Sequence, residues 1–167
     1  MLRNLRGFAD GLISLSATIG ALGLLFEVVV ILIDVAERYF GIPLRGAQDL
    51  SQMGMVILVF GAMALCDRLG GHIAVDIFES RFPHWLNHLA NVASALLGAV
   101  IFVGIAWAVY ESSKISQMLN LATNILNLPK VYFQWALSAF ALVAALGMIM
   151  RALELTISGR DVREERP

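Results

Sequence analysis

Histidine and acidic residues recur at helical spacing in residues 66–85, which read CDRLGGHIAVDIFESRFPHW. His72 and Asp76 lie four residues apart, as do His84 and His88, and side chains one helical turn apart can share a metal ion. The two pairs fall on different predicted helices, however, and both would face water or lipid headgroups. We therefore favour a polar pair formed by His72 and Asp76 over a metal site.

A short amphipathic helix over residues 72–82 would position this pair. At about 100° per residue, polar side chains fall on one narrow arc and apolar side chains cover most of the rest; the arc holds His72, Asp76, Glu79 and Ser80. Such a helix lies in the membrane interface with its apolar face down. Gly70 and Gly71 permit the sharp turn that precedes it. The sequence thus predicts a cytoplasmic-side interfacial helix between two spans.

The remaining elements are long apolar stretches. Of 167 residues, 59% are hydrophobic and 15% are charged, whereas soluble domains carry about a quarter charged residues. We predict an all-α integral membrane protein, a single domain of four transmembrane helices, at 12–36, 50–69, 86–110 and 131–153, with a charged tail at 158–167. The net charge of −1 gives no pull toward nucleic acid, and one cysteine precludes an intrachain disulfide.

Lysine and arginine are distributed unequally between the two sides of this arrangement. With the N-terminus inside, eight basic residues are cytoplasmic and four are outside, the latter being Arg38, Arg45, Lys114 and Lys130. Because cytoplasmic loops carry the excess of basic residues, we expect both termini in the cytoplasm. All three tyrosines then lie near the outer interface, a depth that amphipathic rings prefer.

Charged residues in and beside the spans are candidate contact sites. Glu27 lies inside the first span, where a carboxylate costs at least about 2.5 kcal/mol unless it faces protein or water. We favour a buried helix or subunit contact for Glu27, and leave open an ion relay or a neutral residue without a partner. Asp34 and Arg38 are spaced to pair near the outer end. Asp49 is placed to cap the second helix.

A polar stripe opens the third span. Asn87, Asn91 and Ser94 follow one another at intervals of four and three residues, so they share one helix face. Amide and hydroxyl side chains commonly join neighbouring transmembrane helices, each contributing about 0.6–2 kcal/mol. Packing within this chain and contact with a partner subunit are equally compatible with the stripe.

Several of these residues also follow the order of a known family. The chain resembles the small, DctQ-like membrane subunit of tripartite ATP-independent periplasmic (TRAP) transporters over about residues 12–155, and the likeness rests on Arg38-Tyr39-Phe40, acidic Asp49 at the second span, Phe60-Gly61-Ala62, Arg68 and His72-Ile73-Ala74-Val75-Asp76. Two departures are Gln48-Asp49-Leu50, where relatives often have Glu-Glu or Glu-Leu, and Ala136-Leu137-Ser138, where many have Pro-x-Gly. The second removes a predicted kink.

The resemblance implies a helical scaffold without a transport site, a catalytic residue, a cofactor or a metal. Such subunits pair with a large, many-spanning subunit that moves substrate and Na⁺, and a periplasmic protein delivers an organic acid such as a dicarboxylate or sialic acid. The expected location is the bacterial inner membrane. Structural or interface roles are then expected for Glu27, Asp34, Arg38, Tyr39, Asp49, Arg68, His72, Asp76, Asn87 and Asn91.

Two other functions fit the sequence less well. A haem- or quinone-anchoring subunit would need facing histidines within spans, but all three histidines lie between residues 72 and 88 at one interface. A membrane enzyme would need a nucleophile or acid–base set, and the sequence has no Ser/His/Asp or HExxH-like pattern. An accessory transporter subunit remains the best interpretation.

Overall fold

Four long helices make up the computed structural model, which describes residues 2–42, 44–69 and 83–158. They are α1 (Leu2–Tyr39), α2 (Ala47–Arg68), α3 (His84–Met118) and α4 (Lys130–Ser158). At 1.5 Å per residue, even the 22 residues of α2 reach about 33 Å, enough to cross a bilayer core of about 30 Å. The predicted class is confirmed: the described chain is all-helical with four helices long and apolar enough to span a membrane.

The centre of the bundle is α4. It packs along α3 and also contacts α1 and α2, while α1 and α2 pack along each other. Small side chains allow these close approaches: the core cluster combines Ile13 and Phe102 with alanines on α2, α3 and α4, namely Ala64, Ala106, Ala141, Ala144 and Ala145. Since lipid tails are as apolar as leucine, close backbone packing of this kind is a main source of helix association in membranes.

The crossing of α1 and α2 is closest at Gly20 and Gly61. A methyl group added to Gly20 would lie 2.8 Å from the backbone nitrogen of Ala62, and one added to Gly61 would lie 2.9 Å from the Cα of Gly20. Both distances are shorter than van der Waals contact, so only glycine fits on either helix. The two glycines therefore set the distance between α1 and α2.

Two helices extend beyond the predicted spans. The helix α3 continues well past residue 110, to Met118. The helix α1 begins at Leu2, well before the predicted span that starts at residue 12. Each predicted span lies along a different helix, but where the bilayer begins and ends on each stays a prediction. The proposed interfacial helix at 72–82 and the tail after residue 158 lie outside the described residues.

Candidate functional site

Polar contacts gather at the two ends of the bundle. We call the end with the α1–α2 and α3–α4 connections the loop end, and the end with the first turns of α1 and the last turns of α4 the terminal end. The described candidate residues divide between these ends, except for Glu27, which lies between α1 and α2. At both ends, side chains join helices or loops that are far apart in sequence.

At the loop end, Asp49 connects two parts of the chain that are far apart in sequence. Its Oδ2 accepts hydrogen bonds from the backbone N–H groups of Ile125 (2.8 Å) and Leu126 (2.9 Å) in the α3–α4 connection. Only 4% of the residue is exposed. The carboxylate thus satisfies two amides at a loop tip and anchors that tip to the first turn of α2.

This arrangement corrects the predicted cap. The residue that precedes α2 is Gly46, at φ 88°, and no side chain caps the helix. Asp49 is the third residue of α2, close enough to the helix N-terminus to be stabilised by its dipole, but its oxygen is committed to the loop. The sequence identified an acidic residue in the first turn; the partner, 76 residues away, has no local signal.

A second contact holds the same loop. Leu126 lies over Gly46, so that a Cβ at Gly46 would be 2.5 Å from the leucine Cγ. Within the loop, Thr123 donates its backbone N–H to the Leu128 carbonyl and accepts the Leu128 N–H on its hydroxyl. These bonds and the bridge between Ala122 and Pro129 give the α3–α4 connection a defined conformation, in which it packs on the start of α2.

The end of α1 carries the predicted Asp34–Arg38 pair. Arg38 Nη2 lies 2.8 Å from Asp34 Oδ2, while Asp34 Oδ1 is buried and has no hydrogen-bond partner among the described residues. Tyr39 is 87% exposed, and its ring packs edge to face with that of Phe40, with centroids 5.5 Å apart. Tyr39 and Phe40 thus project from the bundle.

Glu27 faces α2 between the two ends. Its Oε2 is buried without a hydrogen-bond partner among the described residues, and a Cβ added to Gly54 would lie 2.6 Å from that oxygen. The side chain therefore fills space that the glycine leaves open. The carboxyl group faces protein, as the cost of burial in lipid requires; its role in a subunit contact or in ion movement stays a prediction.

Two ion pairs at the terminal end were not foreseen. Arg6 lies 3.1 Å from Glu154 and connects α1 to α4, and Arg151 lies 3.9 Å from Asp67 and connects α2 to α4. The second pair is the more buried, with side chains 18% and 8% exposed. One indication of these pairs was present in the sequence: Arg6 and Arg151 were both predicted on the cytoplasmic side of the membrane.

The asparagine stripe is only partly covered. Asn87 and Asn91 are half-buried, and Ser94 is exposed. Ser94 donates its hydroxyl to the backbone carbonyl of Asn91 within α3, and Asn87 also takes part in a polar contact. Whether a partner subunit contacts the stripe stays a prediction.

The opening histidine–acid stretch lies mostly outside the described residues. His72 and Asp76 fall in the part that is not described, and at Arg68 and His84 only the backbone is described. Among the described residues, no group of three or more His, Cys, Asp or Glu side chains could hold a metal ion. The predicted His72–Asp76 pair stays a prediction.

The rest of the surface is apolar. Only 11% of the most apolar window of α1 is buried, compared with 33% for α4. Large side chains such as Leu25 and Leu32 on α1 and Val100 on α3 are more than half exposed. Such a surface requires lipid or a membrane partner to cover it.

Comparison with known families decides what this bundle is. A family model described as "Tripartite ATP-independent periplasmic transporters, DctQ component" matches residues 27–157. The chain belongs to the DctQ family. No curated protein and no solved structure matches it. The DctQ family is a component of a transporter and not an enzyme family, and together with the four apolar helices it makes this chain a multi-pass inner-membrane protein.

Family membership also bears on the earlier alternatives. The DctQ match covers α2 and α3 completely, nearly all of α4 and the last third of α1, so most of the helical bundle belongs to a transporter component. A separate haem- or quinone-anchoring role has no observation to favour it. The resemblance seen in the sequence is therefore confirmed at the level of the family.

Proposed function

We propose that this DctQ-family chain is the scaffold subunit of a TRAP transporter. It pairs with a large, many-spanning subunit that carries out Na⁺-driven uptake of an organic acid, such as a dicarboxylate or sialic acid. A periplasmic binding protein delivers that substrate to the complex. The family match supports the transporter assignment, and the packing of the bundle supports the division of labour between the subunits.

The filled interior is the observation that carries the scaffold role. Transport sites in membranes are lined by polar groups or by broken helices near the midplane. Here the core between α1, α2 and α4 is filled by Ile13 and by alanines that bring the helices into contact. Each described helix is continuous. A substrate path through another subunit fits this packing better than one through this chain.

The polar contacts support a rigid subunit. Asp49 fixes the α3–α4 connection at the loop end, and ion pairs join α4 to α1 and α2 at the terminal end. Apolar side chains on α1 and α3 remain available to lipid and to a membrane partner. A subunit of this construction can hold a moving partner at a fixed position in the bilayer.

We further propose that the terminal end faces the cytoplasm. The distribution of lysine and arginine supports this orientation. Single cysteines introduced at Tyr39 or Gly7, in a Cys66→Ser background, would be tested with a membrane-impermeant thiol reagent. Labelling of the Tyr39 position from outside intact cells is expected; labelling of the Gly7 position instead would reverse the orientation.

Reconstitution tests the proposed function as a whole. Proteoliposomes would contain this chain and the large TRAP subunit from the same organism, with a periplasmic binding protein of that organism and radiolabelled organic acids outside. Uptake is expected only with an inward Na⁺ gradient and with all components present. Uptake by this chain alone, or full uptake without it, would contradict the proposal.

A further inference from the structure

A cavity of about 350 Å³ lies at the loop end, between the last turn of α3, the α3–α4 connection and the first turns of α4. A water molecule occupies about 30 Å³ of liquid, so the space equals roughly ten waters. That volume is in the range of small-ligand sites, about 300–1,000 Å³. The cavity is therefore too large to be a gap for one ordered water.

The lining combines amide and hydroxyl groups with aromatic and aliphatic side chains. Amide side chains from Gln117, Asn120 and Asn127 face aromatic side chains from Tyr132 and Trp135. Within the described part of the chain, no Asp, Glu, Lys or Arg lines the cavity. Amides both donate and accept hydrogen bonds, so this lining suits a ligand that has both kinds of group and no net charge. An organic acid would lack a cation to pair with.

Two of the amides are held in place by the backbone. Asn120 and Asn127 have φ values of 47° and 54°, a left-handed conformation that asparagine tolerates better than most residues. This backbone conformation explains why asparagine occurs at both positions. It also sets the direction of the Cα–Cβ bond of each asparagine. The Trp135 indole N–H already donates to the Ser113 hydroxyl at 3.1 Å, so Trp135 offers the ligand its ring.

The position along the helices indicates where such a ligand would come from. The cavity lies beyond Glu111 and Lys114, the first charged residues after the apolar stretch of α3. Tyrosine and tryptophan are enriched at the headgroup level of membranes, and Tyr132 and Trp135 are both exposed at the cavity. Lipid headgroups are the abundant polar molecules at this depth.

We propose that this cavity binds the phosphoethanolamine headgroup of a zwitterionic phospholipid. The amides of Gln117, Asn120 and Asn127 bind the phosphate and ammonium groups, and the rings of Tyr132 and Trp135 contact the glycerol and the upper acyl chain. The bound lipid fixes the depth of the α3–α4 connection in the bilayer. This inference does not depend on the identity of the transported substrate.

Native mass spectrometry of the full chain in detergent tests the proposal, with phosphatidylethanolamine and phosphatidylglycerol added separately. One phosphatidylethanolamine is expected per chain, bound at least about tenfold more tightly than the anionic lipid. The double variant Gln117→Ala/Tyr132→Ala loses one amide and one aromatic ring of the lining and should weaken binding roughly tenfold. Gln48→Ala is the matched control, an exposed glutamine at the same end that does not line the cavity.

A second variant and a soluble competitor test the proposal even if the double variant folds poorly. Gln117→Trp fills the cavity from an exposed helix position and should abolish lipid retention with an unchanged circular dichroism spectrum. Equal occupancy by both lipids, or unchanged binding to Gln117→Trp, would overturn the proposal. Displacement of the lipid by an equal concentration of soluble glycerophosphoethanolamine would overturn the assignment to a membrane lipid.

Discussion

Gly20→Ala and Gly104→Ala add the same methyl group to two helix interiors, and the structure predicts opposite effects on stability. At Gly20 the new Cβ would lie 2.8 Å from the Ala62 nitrogen and 3.2 Å from the Leu58 carbonyl oxygen. These are backbone atoms of α2, which move only if the helices separate. At Gly104 on α3 the new Cβ would meet nothing within 4 Å.

The change in the free energy of unfolding combines a gain in backbone entropy with two losses in packing. Replacing glycine by alanine in a helix gains about 0.5–1 kcal/mol from backbone entropy. Overpacking costs about 1–3 kcal/mol, and separation of the helices also weakens Cα–H···O contacts worth about 0.5–1 kcal/mol each. Gly20→Ala should therefore lose about 1–2 kcal/mol, whereas Gly104→Ala should be neutral or gain up to about 1 kcal/mol.

Thermal unfolding of the purified chain in detergent measures the difference. At roughly 2–4 °C per kcal/mol for a chain of this size, Gly20→Ala should lower Tm by several degrees and Gly104→Ala should not lower it. Gly61→Ala, on the other side of the same crossing, should resemble Gly20→Ala. Equal Tm values for the Gly20 and Gly104 variants would refute the close α1–α2 crossing.

Three further substitutions test other contacts. Gly54→Ala should cost less than Gly20→Ala, about 1 kcal/mol or below, because the atom it meets is the end of the flexible Glu27 side chain; Tm measures this. Asp49→Ala should leave two loop amides without an acceptor, at about 2–4 kcal/mol, and should accelerate hydrogen exchange in residues 123–128. Asp67→Asn should lower Tm by several degrees, because breaking a buried ion pair costs about 3–5 kcal/mol.

Carboxylates in more exposed ion pairs supply the controls for these changes. Glu111→Gln removes a pair with Lys114 in which both side chains are about half exposed, and Glu154→Gln removes the more exposed pair at the terminal end. Exposed pairs contribute about 0–1 kcal/mol, so both changes should be small. Unchanged exchange in the loop of Asp49→Ala, or a larger loss for Glu154→Gln than for Asp67→Asn, would contradict the contacts described.

The four helices could be predicted because each leaves a continuous apolar stretch in the sequence, with Gly41, Gly46 and Pro129 marking the breaks. The local pair Asp34–Arg38 was also accessible, since spacing alone brings its members together. The spacing of residues along one helix does not show which other helix packs against it. The true partner of Asp49 and the Gly20–Gly61 crossing therefore required the packed structure.

The terminal ion pairs illustrate the same limit. Arg6, Asp67, Arg151 and Glu154 lie on three helices, and only the bundle determines which acid meets which base. Residues 2–11 lie outside the predicted span because they include charged side chains, although they continue α1 as helix. The helices themselves could thus be predicted from the sequence, whereas the contacts between them could not.

Co-purification tests the central claim most directly. This chain, carrying a C-terminal affinity tag, would be expressed with the untagged large TRAP subunit from the same organism. The eluate in mild detergent would be analysed by native mass spectrometry. A stable complex with one copy of each protein is expected. An unrelated tagged four-helix membrane protein serves as the control and should elute without the large subunit. Elution of this chain without the large subunit, as for the control, would contradict its role as a scaffold subunit of a TRAP transporter.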